Sequence, residues 1–128
     1  MIPQFLRAAR DGISVPLYGD GAQTRDFTYV DNVVAANLLA ADAPSVHGEI
    51  VNVATGSSVT VNALADTIGR LLDVPVEKAY EPEREADVRA SWADLVSAHR
   101  LLGYETQVEL EDGLRRTMDF LLDRKEHR

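Results

Sequence analysis

The sequence predicts an α/β fold of mixed helices and short strands, and three observations carry that prediction. Val61, Leu64, Ala65, Ile68, Leu71 and Leu72 recur at helical spacing and mark an amphipathic helix. Short strand-like runs at 13–18 and 76–80 are set off by glycine and proline punctuation. Ile50-Val51-Asn52-Val53 offers apolar groups to both faces, the pattern of a strand covered by helices in a parallel sheet. One such strand cannot stand alone, so the chain is expected to hold only a small part of a sheet.

The 128 residues suffice for one domain, and a compact body of this size buries roughly two thirds of its unfolded surface. Hydrophobic residues at 45% and charged residues at 27% are ordinary globular proportions, which excludes a disordered or fibrous chain. A net charge of -8 repels phosphodiester backbones at long range, so nucleic acid is not an expected partner and any phosphate must be bound locally. With no cysteine there is no disulfide framework or thiol nucleophile. His47, His99 and His127 lie too far apart to suggest metal ligation. No apolar run approaches the roughly 18 residues of a membrane span, and no signal pattern opens the chain. The expectation is a cytoplasmic protein with no membrane partner.

In chain order, residues 1–11 read as a helix with Ile2, Phe5, Leu6 and Ala9 on one face and Gly12 placed to end it. It opens at residue 1 with Pro3 in its first turn and no capping segment before it, and so reads as a chain cut from something longer. Residues 13–18 are a strand candidate, Gly19-Asp20-Gly21 a turn, and residues 26–30 a second strand candidate. Asp31 is read as the cap of a helix over 32–41, whose valines, leucines and alanines leave hardly any polar face and call for cover all round. Residues 49–54 read as a strand, and Thr60 as the cap of the helix over 61–72. After the strand at 76–80 comes a charged loop over 81–89. Ser91-Trp92-Ala93-Asp94 then has the form of a capping box, with Ser91 as cap and Trp92 as core, opening a helix that runs to Leu102 and stops at Gly103. The last helix covers 110–123 and places Leu114, Met118, Leu121 and Leu122 on one face.

The stretch from Leu17-Tyr18-Gly19-Asp20-Gly21 through Arg25-Asp26-Phe27-Thr28-Tyr29-Val30-Asp31 closely resembles the extended short-chain dehydrogenase/reductase family, in particular its UDP-glucose 4-epimerase-like members among the NAD-dependent epimerases and dehydratases. Ile2-Pro3 with Phe5 resembles the family's helix after the catalytic half. Val51-Asn52-Val53 resembles its returning strand, Ala86-Asp87-Val88 with Ser91 and Ala93-Asp94 its late substrate loop, and Leu101-Leu102-Gly103-Tyr104 its closing signature. These motifs run in order over nearly the whole chain. The resemblance implies a Rossmann-type N-terminal domain that binds NAD and a smaller C-terminal portion that binds a nucleotide sugar, of which only the second is here. Residues 1–128 are thus expected to form a single substrate-binding portion that lacks most of the Rossmann sheet, with 31–54 packing on the absent domain.

Arg25 follows the glycine turn, and its planar fork of donors matches phosphate oxygens; the resemblance puts a phosphate-binding arginine there. The competing reading is a surface arginine paired with Asp26 or Asp20. Arg84 and Asp87 resemble a second phosphate arginine and the acid that accepts hydrogen bonds from ribose hydroxyls. A cation and an acceptor so placed would read the two ends of a nucleoside diphosphate. The competing reading is a solvated charge run with Glu81, Glu83 and Glu85. Ala86 stands where the resemblance leads one to expect glycine. Leu17 and Tyr18 resemble the strand beside the uracil, although a lone tyrosine is more often simply core. Gly19-x-Gly21 lacks the third glycine and the strand-to-helix setting of a dinucleotide fingerprint.

The resemblance further implies a tyrosine acid/base with a lysine four residues later. The residues four beyond Tyr18, Tyr29, Tyr80 and Tyr104 are Ala22, Val33, Arg84 and Val108, and the lysines are Lys78 and Lys125. No catalytic, cofactor-binding or metal residue is therefore assigned, no NAD is expected on this chain alone, and no turnover is expected from it. The expected partners are a UDP-sugar and the N-terminal Rossmann half that the resemblance implies. The alternatives are a non-catalytic homo-oligomeric binding module, or a piece of a nucleotide-sugar 4,6-dehydratase or decarboxylase.

Overall fold

The structure, a computed structural model, describes residues 1–44, 46–85 and 87–123, with side chains described as far as Leu121. Among the described residues the order is α1 (Ile2–Arg10), β1 (Val15–Tyr18), β2 (Thr24–Arg25), α2 (Val30–Asp42), β3 (Val59–Thr60), α3 (Val61–Leu72), β4 (Lys78–Glu81), α4 (Val96–Leu102) and α5 (Leu110–Asp123). Two strand pairs form, β1 with β4 in parallel and β2 with β3 antiparallel. This is the α/β mixture that the sequence predicts, with a small partial sheet.

The larger of two cores lies between α1, β1, α3 and α5. Helix α3 organises it: Val61, Leu64, Ala65 and Ile68 are at most 1% exposed, and enclosing Leu64 or Ile68 contributes roughly 2 kcal/mol each. Thr60 caps the helix as expected, its hydroxyl accepting from the Ala63 N–H at 3.0 Å. From α1 come Phe5 and Leu6, from β1 Val15 and Leu17, and from α5 Leu114. Met118 and Leu121 pack at the edge of this core, whereas the side chain of Leu122 lies outside the described residues. The smaller core joins α2 to α4 through Ala36, Ala54, Leu95, Ala98, Leu102 and Tyr104.

Two polar side chains tie the halves together. Asn32, fully buried, donates from Nδ2 to the Val108 carbonyl at 2.8 Å, and its Oδ1 accepts from the Gln107 and Val108 N–H groups at 3.0 Å each. Asp26 accepts from the Thr55 N–H (3.0 Å), the Thr55 hydroxyl (2.6 Å) and the Gly56 N–H (2.9 Å).

Several elements differ from expectation, each for a local reason. No strand forms over 26–30. The strand is Thr24–Arg25 instead, because beyond it Asp26 turns to Thr55 and Gly56 and the Tyr29 ring lies against Gly113, where an added Cβ would sit 3.0 Å from Tyr29 Cβ. Asp31 is not a cap. Helix α2 starts two residues earlier than expected, at Val30 behind Tyr29, and Asp31 in its first turn pairs with Arg116 at 2.9 Å. Residues 49–54 form no strand, since no neighbouring strand supplies a ladder. Exposure still alternates there, with Ile50 94% exposed and Val51 and Val53 turned to the smaller core. Ser91 caps nothing; its N–H donates to the Thr24 carbonyl at 3.2 Å, and α4 begins only at Val96, whose N–H is accepted by Asp94 at 2.8 Å. Trp92 is 66% exposed and is no part of the core. The pair β3 was not foreseen, because two residues carry no periodicity.

Helix α2 shows one covered side and one bare one. Asn32 and Ala36 are buried, while Val30, Val33, Val34 and Leu38 stay exposed. No described helix is long and apolar enough to cross a membrane, and no group of metal-ligating side chains occurs among the described residues.

Replacing Asn32 by Ala strands the two buried backbone groups of Val108, each worth about 1–3 kcal/mol when left without a partner, and frees the part-buried Gln107 N–H to water. Asn32→Ala is therefore expected to lower the unfolding free energy by about 3 kcal/mol in urea denaturation. A loss below half of that would show that water or local movement re-satisfies those groups.

Candidate functional site

The β1 strand alternates, so Val15 and Leu17 face the core while Pro16 and Tyr18 face the opposite side. There a cavity of about 430 Å³ opens, within the size range of small-molecule sites. Its polar lining comes from Tyr18, Gln23, Arg25, Arg84 and Asp87 together with Gln4 of α1. Leu17 reaches this lining while itself fully buried in the larger core.

Arg25 is the last residue of β2. Its Nη1 donates to the Thr24 carbonyl at 2.7 Å, and its Nη2 is paired with Asp87 Oδ1. The competing partners are engaged elsewhere, Asp26 with Thr55 and Gly56, and Asp20 with Arg89. A turn closed by the Asp87 N–H donating to the Arg84 carbonyl at 3.0 Å carries the other two predicted residues; Ala86 between them lies outside the described residues. The Arg84 guanidinium carbon stands 3.6 Å from the centre of the Tyr18 ring, a cation–π contact. All five predicted residues thus border one concavity, while Glu81, Glu83 and Glu85 of the charged segment are exposed.

Behind Asp87 an extended arm runs beside β2. The Thr24 N–H donates to the Arg89 carbonyl at 3.0 Å, Ser91 donates to the Thr24 carbonyl, and Thr24 bridges Ala90 in parallel. Arg89 also grips Asp20 through two bonds of 2.9 Å. The guanidinium donating to its carboxylate, followed by the Ala22 N–H, holds Asp20 down to a pKa of about 2. Sequence reasoning missed this arm, whose partners are 69 residues apart. It also left Gln23 unassigned, a 94% enclosed side chain that donates to the Tyr18 carbonyl at 3.0 Å. A signal was present, since Gln23 lies two residues before Arg25 and so on its face of an extended chain.

Chemically, two guanidinium groups suit phosphate oxygens, a carboxylate suits hydroxyl donors, and the Tyr18 ring supplies an aromatic wall. A second cavity, of about 40 Å³ between Phe27, Tyr29, Leu110 and Leu114, has room for little more than water.

The sequence model of the NAD dependent epimerase/dehydratase family matches residues 1–54. A UDP-glucose 4-epimerase of Mycolicibacterium smegmatis is 33% identical over 122 residues, covering 95% of this chain and 39% of the relative. The chain belongs to the NAD-dependent epimerase/dehydratase family. Among solved structures, a UDP-glucose 4-epimerase with UDP-glucose from Thermotoga maritima matches this epimerase/dehydratase chain with a TM-score of 0.89 at 37% identity, covering 99% of it and 40% of that chain. MoeE5 in complex with UDP-glucose and NAD matches with a TM-score of 0.88 at 34% identity, over 95% and 41%. The match is to the C-terminal part of such structures. This chain spans 39% to 41% of the length of these three relatives. Curated relatives include UDP-sugar decarboxylases as well as epimerases.

NAD is bound in relatives such as MoeE5, but the described glycine turn of this family member does not fit that group. Gly19 and Gly21 adopt φ of 65° and 68° between β1 and β2, not between a strand and a helix. A Cβ on Gly21 would lie 2.7 Å from the Asn62 side chain, so its bare backbone admits Asn62 and not a pyrophosphate. Lys78 is paired with Asp66 at 2.7 Å.

The Asp20–Arg89 clamp has a pH signature. Because the folded carboxylate titrates below its ordinary value of 3.8, the clamp's stabilisation is present above that value and is lost as pH falls toward 2. NMR titration of the Asp20 carboxyl carbon is expected to give a midpoint of about 2, rising toward the ordinary range in Arg89→Ala. An equal midpoint in the two proteins would show that Arg89 is not the cause.

Proposed function

We propose that this chain is the nucleotide-sugar-binding portion of an NAD-dependent sugar 4-epimerase, with a UDP-sugar as its ligand. The observation that carries the reading is the convergence of Arg25, Arg84 and Asp87, from two distant parts of the chain, with Tyr18 on one cavity of about 430 Å³. Arg25 and Arg84 hold the diphosphate, Asp87 accepts from the ribose hydroxyls, and Leu17 and Tyr18 lie beside the base. The similarity to a structure that holds UDP-glucose supports this assignment.

In this reading the chain contributes binding and orientation, and supplies neither the NAD site nor the tyrosine–lysine pair. Those belong to the part of the relatives' length that the chain does not span, and the chain turns over no sugar nucleotide by itself. Residues 31–54 dock against that part. The bare side of α2, with Val33, Val34 and Leu38, and the exposed Ile50 are the surface offered. The protein works in the cytoplasm. The decarboxylases among the relatives make a UDP-sugar decarboxylase or dehydratase the alternative parent, with the same diphosphate chemistry. The exposed apolar side of α2 also favours a second reading, a non-catalytic module that self-associates through this face.

Isothermal calorimetry with UDP tests the binding. Each guanidinium is expected to contribute about 1.5–3 kcal/mol through charge-assisted bonds, so Arg25→Ala and Arg84→Ala should each weaken UDP by about 10- to 100-fold at unchanged melting temperature. A folded chain that takes up no UDP would end the assignment. Light scattering separates the two uses of α2. The docking reading expects one-to-one association with the separately produced N-terminal half of a related epimerase and restored conversion of UDP-galactose to UDP-glucose. The self-associating module expects a homo-oligomer that ignores that half.

A further inference from the structure

We infer that Asp20 and Arg89, which stand outside the cavity, are positioning residues for its ligand: their clamp fixes the arm that begins at Asp87 in the place where a nucleoside diphosphate can be held. The inference rests on the proposed binding reading and adds to it two residues that touch no ligand.

The arm has no apolar anchor. Residues 87–92 are all exposed, and none of them joins either core. Among the described residues its ties are polar, and they fall into two groups. On the cavity side Asp87 is paired with Arg25, and Arg84 lies over the Tyr18 ring. In the proposed reading a diphosphate and its ribose engage these same side chains, so the ligand competes for them. Away from the cavity are the two backbone bonds to Thr24 and the clamp, in which Arg89 Nη1 and Nη2 donate to Asp20 Oδ1 and Oδ2 at 2.9 Å each. Neither Asp20 nor Arg89 borders the cavity. The clamp therefore keeps its partners when the cavity fills, and it holds the arm where the cavity-side ties cannot.

Such a clamp restrains the arm only if its other end is fixed, and Asp20 is. The Ala22 N–H donates to Asp20 Oδ1 at 2.9 Å and orients the carboxylate. Asn62 Nδ2 donates to the Asp20 carbonyl at 2.9 Å, the Asn62 N–H donates to the Gly21 carbonyl at 3.0 Å, and the Tyr80 hydroxyl donates to Asn62 Oδ1 at 3.0 Å. Asn62 lies in the first turn of α3 beside the buried Val61, so the turn is tied to the larger core. A two-bond guanidinium–carboxylate pair with one end held is the geometry in which an exposed ion pair restrains its partners, whereas a single flexible pair contributes little. Both side chains remain well exposed, so the effect on binding is severalfold and not all-or-none.

The sign of the effect separates positioning from plain charge. If the two residues acted only through their fields on an anionic ligand, removing the acid would tighten binding and removing the arginine would weaken it. A clamp requires that both removals weaken it.

The test is calorimetry with UDP at fixed ionic strength on the chain, on Asp20→Asn, Arg89→Ala and Arg89→Lys, and on Asp20→Asn combined with Arg89→Ala, with amide exchange followed at Thr24 and Ser91. Each single change is expected to weaken UDP about three- to tenfold, and the combination no further than the stronger of its two members. Both amides should exchange faster at an unchanged melting temperature. Tighter UDP in Asp20→Asn, unchanged UDP in Arg89→Ala, or a combined loss equal to the product of the single losses would overturn the inference. Should Asp20→Asn lose its fold by circular dichroism, Arg89→Lys carries the test, because it keeps the charge and gives up the fork: weaker UDP supports the clamp and unchanged UDP overturns it. If the unaltered, folded chain binds no UDP, the binding assignment itself fails and this inference with it. If Arg25→Ala weakens UDP while Asp20→Asn and Arg89→Ala do not, only the clamp falls.

Discussion

Thr24 is paired on both edges, and the site depends on that double pairing. On one side it lies opposite Thr60 in the antiparallel pair, which attaches β2 to the start of α3 and hence to the larger core. On the other it receives the arm through the Arg89 carbonyl and the Ser91 N–H. A two-residue strand has little stability of its own. Here it is fixed between a buried helix and an extended arm, and that is what lets Arg25, which ends it, meet Asp87, which begins the arm. Loss of the pairing on the arm side would leave two arginines and an acid on the surface with no shared concavity.

The same economy governs the electrostatics. A chain with net charge -8 repels anions at long range, yet two guanidinium groups line its cavity. One is braced by a carboxylate and the other by an aromatic ring. Asp20 takes up Arg89 on the outside of the arm, which keeps that third arginine from the cavity. Charge is thus sorted by geometry and not by composition.

Opposite demands meet in α2. Its inner side is sealed by Asn32 and Ala36, and the buried carboxamide of Asn32 joins the helix to the segment before α5. Its outer side stays apolar and bare.

The amphipathic stripe of α3, its Thr60 cap, the apolar face of α1 and the stop at Gly103 were legible from residue order, because helix periodicity and capping act within a few positions. The family motifs pointed to Leu17, Tyr18, Arg25, Arg84 and Asp87, which line one cavity. What only the tertiary structure decided were the elements whose partners lie far along the chain. Residues 49–54 have the composition of a strand but no neighbour to make them one. Residues 26–30 give up a ladder to the carboxylate of Asp26 and the packing of Tyr29, and Ser91 and Trp92 lie in an arm beside Thr24 instead of opening a helix. Local sequence determines what a segment can form, whereas strands, ion pairs across 62 residues and cavities exist only once the backbone has brought both sides together.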